Sequence, residues 1–521
     1  MKKKFFKTML VCLGILASCC STIFAMEKAD VDLYYLGRNT KLNNAIYIED
    51  NTYFIPLREC AEQIGYTVDY TPSVITLTDK FEKKIEYRLD INTIFVHGKP
   101  AGKFDIKNIN GVSYVKLNDF YDLMSIDIKE IQNNNKKALR ISNSSKVFKK
   151  NNFYDSISLL NVIEKNKNGV ISPISMKMSL AMIANGTTGQ TQQEILNTLG
   201  YSNIEQCNQF VSEVLNWTVE ERKSDYIDLN DNQGSIYFAN SLWYNNNTQN
   251  TKNTIFNENF NNRIQSVFKG VANVVTPDTA VTVINKWIEQ QTNGMLKNMI
   301  SDANFQTALI NTTYFKCSWE EEFKNENTKK DIFYNIDNTQ SETDFINGTP
   351  HNEPYYCEVN GWQMLGLPYS DKKYTMYLFL PEKGKELTLD NDTINTLLTF
   401  QERLKVKVTM PKFTTEQSYD FKDTLKAMGI NAMFQNSADF SNMYTEGNQM
   451  CISDVFQKTK IIVNEQGTEA ASGTVSTAGR GMNMEQPVVF KADRPFIYMI
   501  TAHTYDTEEV LFIGQYVTAK Q

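Results

Sequence analysis

The stretch from Asn464 to Phe490 holds the most unusual run of residue types in the chain, and the chemistry open to it is strand addition rather than attack on a bond. Side chains alternate faces along an extended chain, so Thr468, Ala470, Ser472, Thr474, Ser476 and Ala478 would share one side. None of these is large or charged, and that side could be buried in a sheet. The opposite set, Glu469, Ala471, Gly473, Val475 and Thr477, carries the only charge of the two sets and could face water. A plain Gly/Ser/Thr/Ala linker has the same composition, and the stretch alone does not separate the two readings. Catalysis has no comparable candidate. His97, His351 and His503 are the only histidines, which leaves no histidine-based triad and no metal cluster. No nucleophile-base-acid set or phosphate loop stands out, and no cofactor is implied.

Flanking elements must position this stretch. Lys460-Ile461-Ile462-Val463 is a β-branched run that reads as a buried strand, and Pro495 to Thr501 reads as another. The separation exceeds what a compact domain normally leaves as structureless loop. Val463-Asn464-Glu465-Gln466-Gly467-Thr468-Glu469-Ala470-Ala471-Ser472-Gly473-Thr474 resembles the hinge of the serpin family, whose pattern is Val-Asn-Glu-x-Gly-Thr-Glu-Ala-Ala followed by small residues and Thr. Other stretches resemble serpin segments in the family's order. They are Val170 to Ser175 leading into the helix Met176 to Ala184; Thr191-Gln192-Gln193-Glu194, a capping-box pattern opening a helix that ends at Gly200; and Ile284-Asn285-Lys286-Trp287 with Thr292-Asn293-Gly294. Leu309 to Lys316 with Trp319, the pair Gly366 to Tyr369 and Met376 to Pro381, Pro411-Lys412-Phe413 after the alternating Leu404, Val406, Val408 and Met410, Leu425 to Phe434 with Asp439-Phe440-Ser441, and Leu511 to Val517 complete the set.

The resemblance implies suicide inhibition. A protease cuts the loop, becomes acylated, and the freed segment beginning at the hinge (Glu465 and Gly467 to Thr474) inserts into the central sheet. It also implies that Glu465 pairs with Lys412 at the top of the insertion gap and that Trp319 lies at the breach where insertion starts. Ser172, Ser175 and Asn311 would form the shutter, with Gln457 where the family usually has histidine. Counting from Gly467 by the family's commonest loop length places the reactive bond at Gly481-Met482, and a loop one residue shorter places it at Arg480-Gly481. Arg480 would suit a trypsin-like pocket and Gly481 a subtilisin-like one; a solubilising loop charge is the plainer reading of Arg480. The implied partner is a serine protease, with cysteine proteases as a further target class, and the implied state is a monomer. The competing reading is a non-inhibitory serpin-like surface binding or adhesion protein. Non-inhibitory members commonly carry bulky or charged hinge residues, and this hinge does not.

The N-terminal part is organised differently. Met1-Lys2-Lys3-Lys4-Phe5-Phe6-Lys7 followed by the apolar run Met9 to Ala17 is an export signal, too short for a stable bilayer span. Two cleavage sites compete, one after Ser18 that would lipidate Cys19 and anchor the chain to a membrane, the other after Ala25. The protein is therefore expected to be secreted or on the cell surface. Between residues 26 and 142 a unit repeats with a period of about 60 residues. Tyr53 to Arg58 leads into a helix at Cys60 to Ile64, and Ser113 to Asn118 leads into Phe120 to Met124. The halves resemble the copper-amine-oxidase N-terminal-like stalk domain, which implies a spacer or surface module; no histidine set for copper is present.

The 521 residues, 41% hydrophobic and 22% charged with net charge -7, are ordinary globular material, and nothing in the balance favours nucleic acid. Cys60, Cys207, Cys317, Cys357 and Cys451, sparse and odd in number after the signal, imply no disulfide framework. The expected architecture is α+β: an export signal at 1–25, a small duplicated mostly-β domain at 26–142, a polar linker at 143–152, and a serpin fold at 153–521. That fold implies a large central sheet, two smaller sheets and about eight or nine helices.

Overall fold

Two pairs of turn residues set up the first unit. Asp50 and Asn51 have φ of 46° and 60°, and Asn110 and Gly111 have φ of 53° and 83°. Only Asn, Asp and Gly adopt such left-handed values readily, and consecutive positive φ is what a tight two-residue hairpin needs. The hairpins are β1 (Tyr47–Glu49) with β2 (Thr52–Pro56) and β3 (Ile106–Ile109) with β4 (Val112–Lys116). β2 runs straight into helix α1 (Leu57–Gln63) and β4 into α2 (Leu117–Asp122), which is the repeated strand-plus-helix unit. Both helices begin earlier than the sequence suggests. The two copies meet where β2 and β4 pair antiparallel, Tyr114 opposite Pro56 and Lys116 opposite Phe54. Ile55, Leu57, Cys60, Val115, Leu117 and Phe120 are buried there, in one core with Val68, Ile75, Leu77, Ile85 and Tyr87 from a five-stranded meander between the copies.

The computed structural model describes residues 26–520 except 36–37, 64–65, 79–83, 97, 123–126, 134–135, 143–153, 221–234, 247–255, 293, 372, 446–449, 469–485 and 504–507. The signal, Cys19 and the 143–152 linker thus lie outside the described residues. The chain divides into two compact units between residues 146 and 147.

In the second unit, α3 (Pro173–Ala184) starts three residues before the expected Met176, because proline is tolerated in a helix's first turn, where its missing N–H has no partner to lose. Every residue of α3 except Lys177 is buried, as a helix apolar on all sides requires. The expected capping box at Thr191 does not form. The helix Gly189–Leu199 opens on Thr188 instead. Thr191 Oγ1 accepts from the Asp439 backbone N–H at 3.0 Å, and the Glu194 carboxylate accepts from the Asn431 and Ala432 N–H groups at 2.8 and 2.7 Å. Those side chains satisfy the orphan amides of a neighbouring turn rather than their own helix, a choice that packing makes and local spacing does not. Gly200, at φ 79°, ends the helix as expected.

The central sheet contains β5 (Ser235–Asn245), β6 (Val271–Val275), β7 (Thr307–Ser318), β8 (Phe413–Asp420), β9 (Asp454–Val463) and the two-residue β10 (Gly467–Thr468), in spatial order β6-β5-β7-β10-β9-β8. Helix α4 (Pro277–Gln291) covers one face, with Ala280, Ile284 and Ile288 buried against Ala308 and Ile310 of β7. α3 lies against the other face, where Asn311 of β7 meets Ser175. A second sheet joins Tyr355–Val359, Trp362–Pro368, Tyr374–Pro381, Phe496–His503, Glu508–Tyr516 and Gly169–Ile171 in that order. A third joins Lys329–Tyr334, Gln340–Gly348, Val406–Pro411 and β11 (Val488–Lys491). β10 and β11 both fall inside the stretch read from sequence as loop. Two residues, or four with one side exposed, carry too little periodicity to stand out in a sequence.

Candidate functional site: the gap in the central sheet

β7 and β9 run parallel and pair from Ala308 opposite Asp454 to Thr313 opposite Thr459. Above that point they part. The described β7–β9 ladder stops there, and the next described bridges are at Cys317 and Ser318 of β7 and Val463 of β9. At the mouth of this gap β10 lies between the strands, with Cys317 opposite Thr468, Ser318 opposite Gly467, and Val463 opposite Thr468.

A turn delivers β10 into this position. Asn464 Oδ1 accepts from the N–H groups of Gln466 (2.9 Å) and Gly467 (3.1 Å), while Asn464 N–H donates to the Gly467 carbonyl at 3.0 Å. Asn side chains close turns in this way. Trp319 fixes the turn from the other strand. Its indole donates to the Asn464 carbonyl at 3.0 Å and its backbone N–H to the Gln466 carbonyl at 2.9 Å. The same ring stacks on Tyr369 at 4.6 Å, and the Tyr369 hydroxyl meets Thr468 Oγ1 at 2.6 Å. Burial pushes the Tyr369 phenol well above its ordinary pKa, so it stays a neutral hydrogen-bonding group.

Gly467 is required by close approach. A Cβ there would stand 2.2 Å from the Cys317 carbonyl oxygen and 2.7 Å from Ser318 Cα, both backbone atoms that cannot turn away. Gly467→Ala is expected to expel β10 from the sheet, seen as faster amide hydrogen exchange at residues 317–319 with little change in α3.

Glu465 and Lys412 form an ion pair at the mouth, with Lys412 Nζ 3.0 Å from Glu465 Oε2. Thr328 Oγ1 donates to the other carboxylate oxygen at 2.7 Å. Burial pushes the Glu465 pKa up, but the hydrogen bonds from Thr328 and Lys412 outweigh it and hold the carboxyl below its ordinary 4.5. A depressed folded pKa contributes stability that is present above the unfolded value and lost as pH falls through the folded one. Hinge protection from proteolysis is therefore expected to hold at neutral pH and to weaken only below about pH 4. Lys412→Ala should cost no more than about 1 kcal/mol, because its side chain is 45% exposed.

Below the gap the residues that the resemblance assigns to a shutter converge. Gln457 Oε1 accepts from the Ser172 N–H at 2.8 Å, and its amide nitrogen donates to the Ser172 carbonyl (3.0 Å) and Asn311 Oδ1 (2.9 Å). Asn311 Nδ2 reaches the Ser175 carbonyl and hydroxyl and Asn240 Oδ1. Sequence reading missed two members, Ser179, which donates to Asn240 Oδ1 at 2.8 Å, and Asn240 itself. Ser179 had a signal, sitting four residues after Ser175 in an otherwise apolar helix. Asn240 had none, since it is defined by standing opposite Asn311 in register. All six side chains are buried.

The structure thus brings Glu465, Gly467, Thr468, Trp319 and Lys412 together at the mouth and Ser172, Ser175, Asn311 and Gln457 at the shutter. Glu469, Ala470, Ala471, Ser472, Gly473, Thr474, Arg480, Gly481 and Met482 lie outside the described residues. Among those described, no group of three or more His, Cys, Asp or Glu could hold a metal. No helix there is long and apolar enough to cross a membrane.

Parallel strands that part beyond Thr313 and Thr459, with the start of a long connection turned in between them, fit the central sheet that the serpin resemblance implies. The family model described as serpin (serine protease inhibitor) matches residues 151–519, and the chain belongs to the serpin family. Residues 35–139 match the copper amine oxidase N-terminal domain. The chain is 31% identical to Serpin-ZX of Arabidopsis thaliana, over 69% of this chain and 94% of that one. It is 29% identical to human neuroserpin, over 67% and 86%. Among solved structures it is similar to the thermophilic serpin Tengpin in its native state (TM-score 0.61, 25% identity, 75% of this chain and 100% of that one). It is similar also to AtSerpin1 of Arabidopsis in a native stressed conformation (TM-score 0.58, 28% identity, 70% and 94%). Serpins are mostly protease inhibitors rather than enzymes.

Proposed function

We propose that this chain is an exported, irreversible inhibitor of serine proteases that traps its target by inserting the cleaved loop into the gap between β7 and β9. The observation that carries the reading is the seating of Gly467 and Thr468 in the mouth of that gap, beyond the point where the described pairing of β7 with β9 ends at Thr313 and Thr459. A further dozen or so residues at about 3.3 Å each would carry an attached protease roughly 40 Å along the sheet.

Hydrogen bonds alone do not drive this. New ladder bonds contribute about 0.5–1.5 kcal/mol each, while ordering a residue costs about 1–2 kcal/mol. The drive has to come from unfavourable packing in the uncleaved sheet, and the open gap is where such packing would lie. AtSerpin1, similar over 70% of this chain, was solved in a conformation described as native and stressed. The N-terminal unit is the spacer, and export follows from the basic-apolar segment at residues 1–25, with a lipid on Cys19 or a cut after Ala25 as the two mature ends.

The test is incubation with trypsin-like and subtilisin-like proteases. An SDS-resistant complex and a released C-terminal fragment starting at Gly481 or Met482 are expected. Turnover of the loop with no complex, and a cleaved form that melts no higher than the intact one, would sink the proposal.

A further inference from the structure

We propose that Thr313 and Thr459 are positioning residues that form a hydroxyl-lined receiving position in the sheet, filled by the side chain of Ser472 once the loop is inserted; this rests on the insertion reading above. The two threonines stand opposite each other where β7 and β9 last pair before the gap. Both are buried, at 0% and 1% exposure, and neither Oγ1 has a hydrogen-bond partner among the described residues. Burying a hydroxyl without a partner costs free energy, so the uncleaved sheet carries two unsatisfied donors and acceptors side by side.

Register says what can meet them. β10 already sets the frame of an incoming strand, with Thr468 opposite Cys317 on one side and opposite Val463 on the other. Extending that antiparallel pairing inward places residue 470 between Phe315 and Ile461, 472 between Thr313 and Thr459, and 474 between Asn311 and Gln457. β7 and β9 are already offset so that Thr313 faces Thr459 and Asn311 faces Gln457. Neither strand has to slide to admit the new one; they only separate.

The face follows as well. Thr468 points inward to Tyr369, and with a side-chain period of two the residues at 470, 472 and 474 point the same way. Ser472 therefore arrives on the threonines' side of the sheet, where its hydroxyl can donate to one and accept from the other. Thr474 arrives between Asn311 and Gln457, whose direct hydrogen bond must break as the strands part, and can bridge them. Thr312 supplies an internal control. Its hydroxyl is also buried and without a partner among the described residues, but it lies on the opposite face, where the register sets Gly473 beside it.

The experiment measures melting temperatures of the full chain, intact and after cleavage in the loop by subtilisin or trypsin, with the cut mapped by mass spectrometry. Thr313→Val/Thr459→Val is expected to leave the intact form unchanged or slightly higher melting and to lower the cleaved form by about 1–3 °C for each hydrogen bond not made. Ser472→Ala is expected to lower the cleaved form by a similar amount in the parent chain and not at all in the double variant, while Thr312→Val changes both forms alike. Equal loss in the intact and cleaved forms of the double variant, or full additivity with Ser472→Ala, would overturn the assignment of these threonines. A parent chain that melts no higher after cleavage would instead overturn insertion itself, and this assignment with it.

Discussion

Thr468→Arg is expected to abolish trapping while leaving the loop cleavable. Thr468 is fully buried, its hydroxyl is 2.6 Å from that of Tyr369, and Tyr369 is itself buried against Trp319. Taking a guanidinium out of water into such a site costs several kcal/mol, even with the Asp371 carboxylate close enough to act on Tyr369 and Cys317. Even about 3 kcal/mol slows insertion by roughly 100-fold. Deacylation would then overtake it, and the inhibitor would be turned over as a substrate. The measurements are the SDS-resistant complex, which should vanish, and the rise in melting temperature on cleavage, which should shrink or disappear. A variant that still forms the complex at the parent's stoichiometry would show that insertion does not pass through the site where Thr468 sits.

Gln457→Ala carries the second large effect. The single amide of Gln457 ties the start of α3 to β7 through three hydrogen bonds, and truncation leaves the Ser172 N–H and Asn311 Oδ1 buried without a partner, while the Ser172 carbonyl keeps the Met176 N–H. At about 1–3 kcal/mol for each of the two unsatisfied groups, the loss should be about 2 kcal/mol or more in denaturant unfolding of the intact form. Gln457→His separates hydrogen bonding from charge. Neutral imidazole has one donor and one acceptor and can keep two of the contacts, but protonation turns the acceptor into a donor facing the Ser172 N–H. The folded pKa of that histidine would then lie below its unfolded value near 6.5. Its neutral form contributes stability above that value, and the contribution is lost as pH falls, because the unfolded chain binds the proton more readily. The parent should show no such transition between about pH 5 and 8 from this site, since none of Ser172, Ser175, Ser179, Asn240, Asn311 and Gln457 titrates in that range.

Much of this arrangement is legible in the sequence because it rests on local chemistry. The run of small residues on alternate positions after Gly467 is a matter of period along the chain, whereas the need for glycine at 467 itself comes from the Cys317 and Ser318 backbone. The paired turns at Asp50-Asn51 and Asn110-Gly111 likewise announce the duplicated unit. Other features resist such reading. Thr191 and Glu194 have the spacing of a capping box, yet they serve the backbone at Asp439, Asn431 and Ala432. β10, with two residues, has no pattern of its own and exists because Trp319, Tyr369 and Asn464 hold it.

By itself the sequence determined the family, the two-unit order of the chain, and a hinge whose alternate residues are small enough to enter a sheet, since composition and period-two spacing depend only on neighbours along the chain. Only the tertiary structure decided that Thr468 already occupies the mouth of the gap, that Asn240 and Ser179 join the network of Asn311 and Gln457, and that Thr313 and Thr459, without hydroxyl partners among the described residues, stand opposite each other in register. Those facts depend on which residue of one strand stands opposite which of another, and such pairings join positions more than a hundred residues apart, as Thr313 and Thr459 do. A slip of one residue would turn every side chain to the other face while leaving the sequence pattern unchanged.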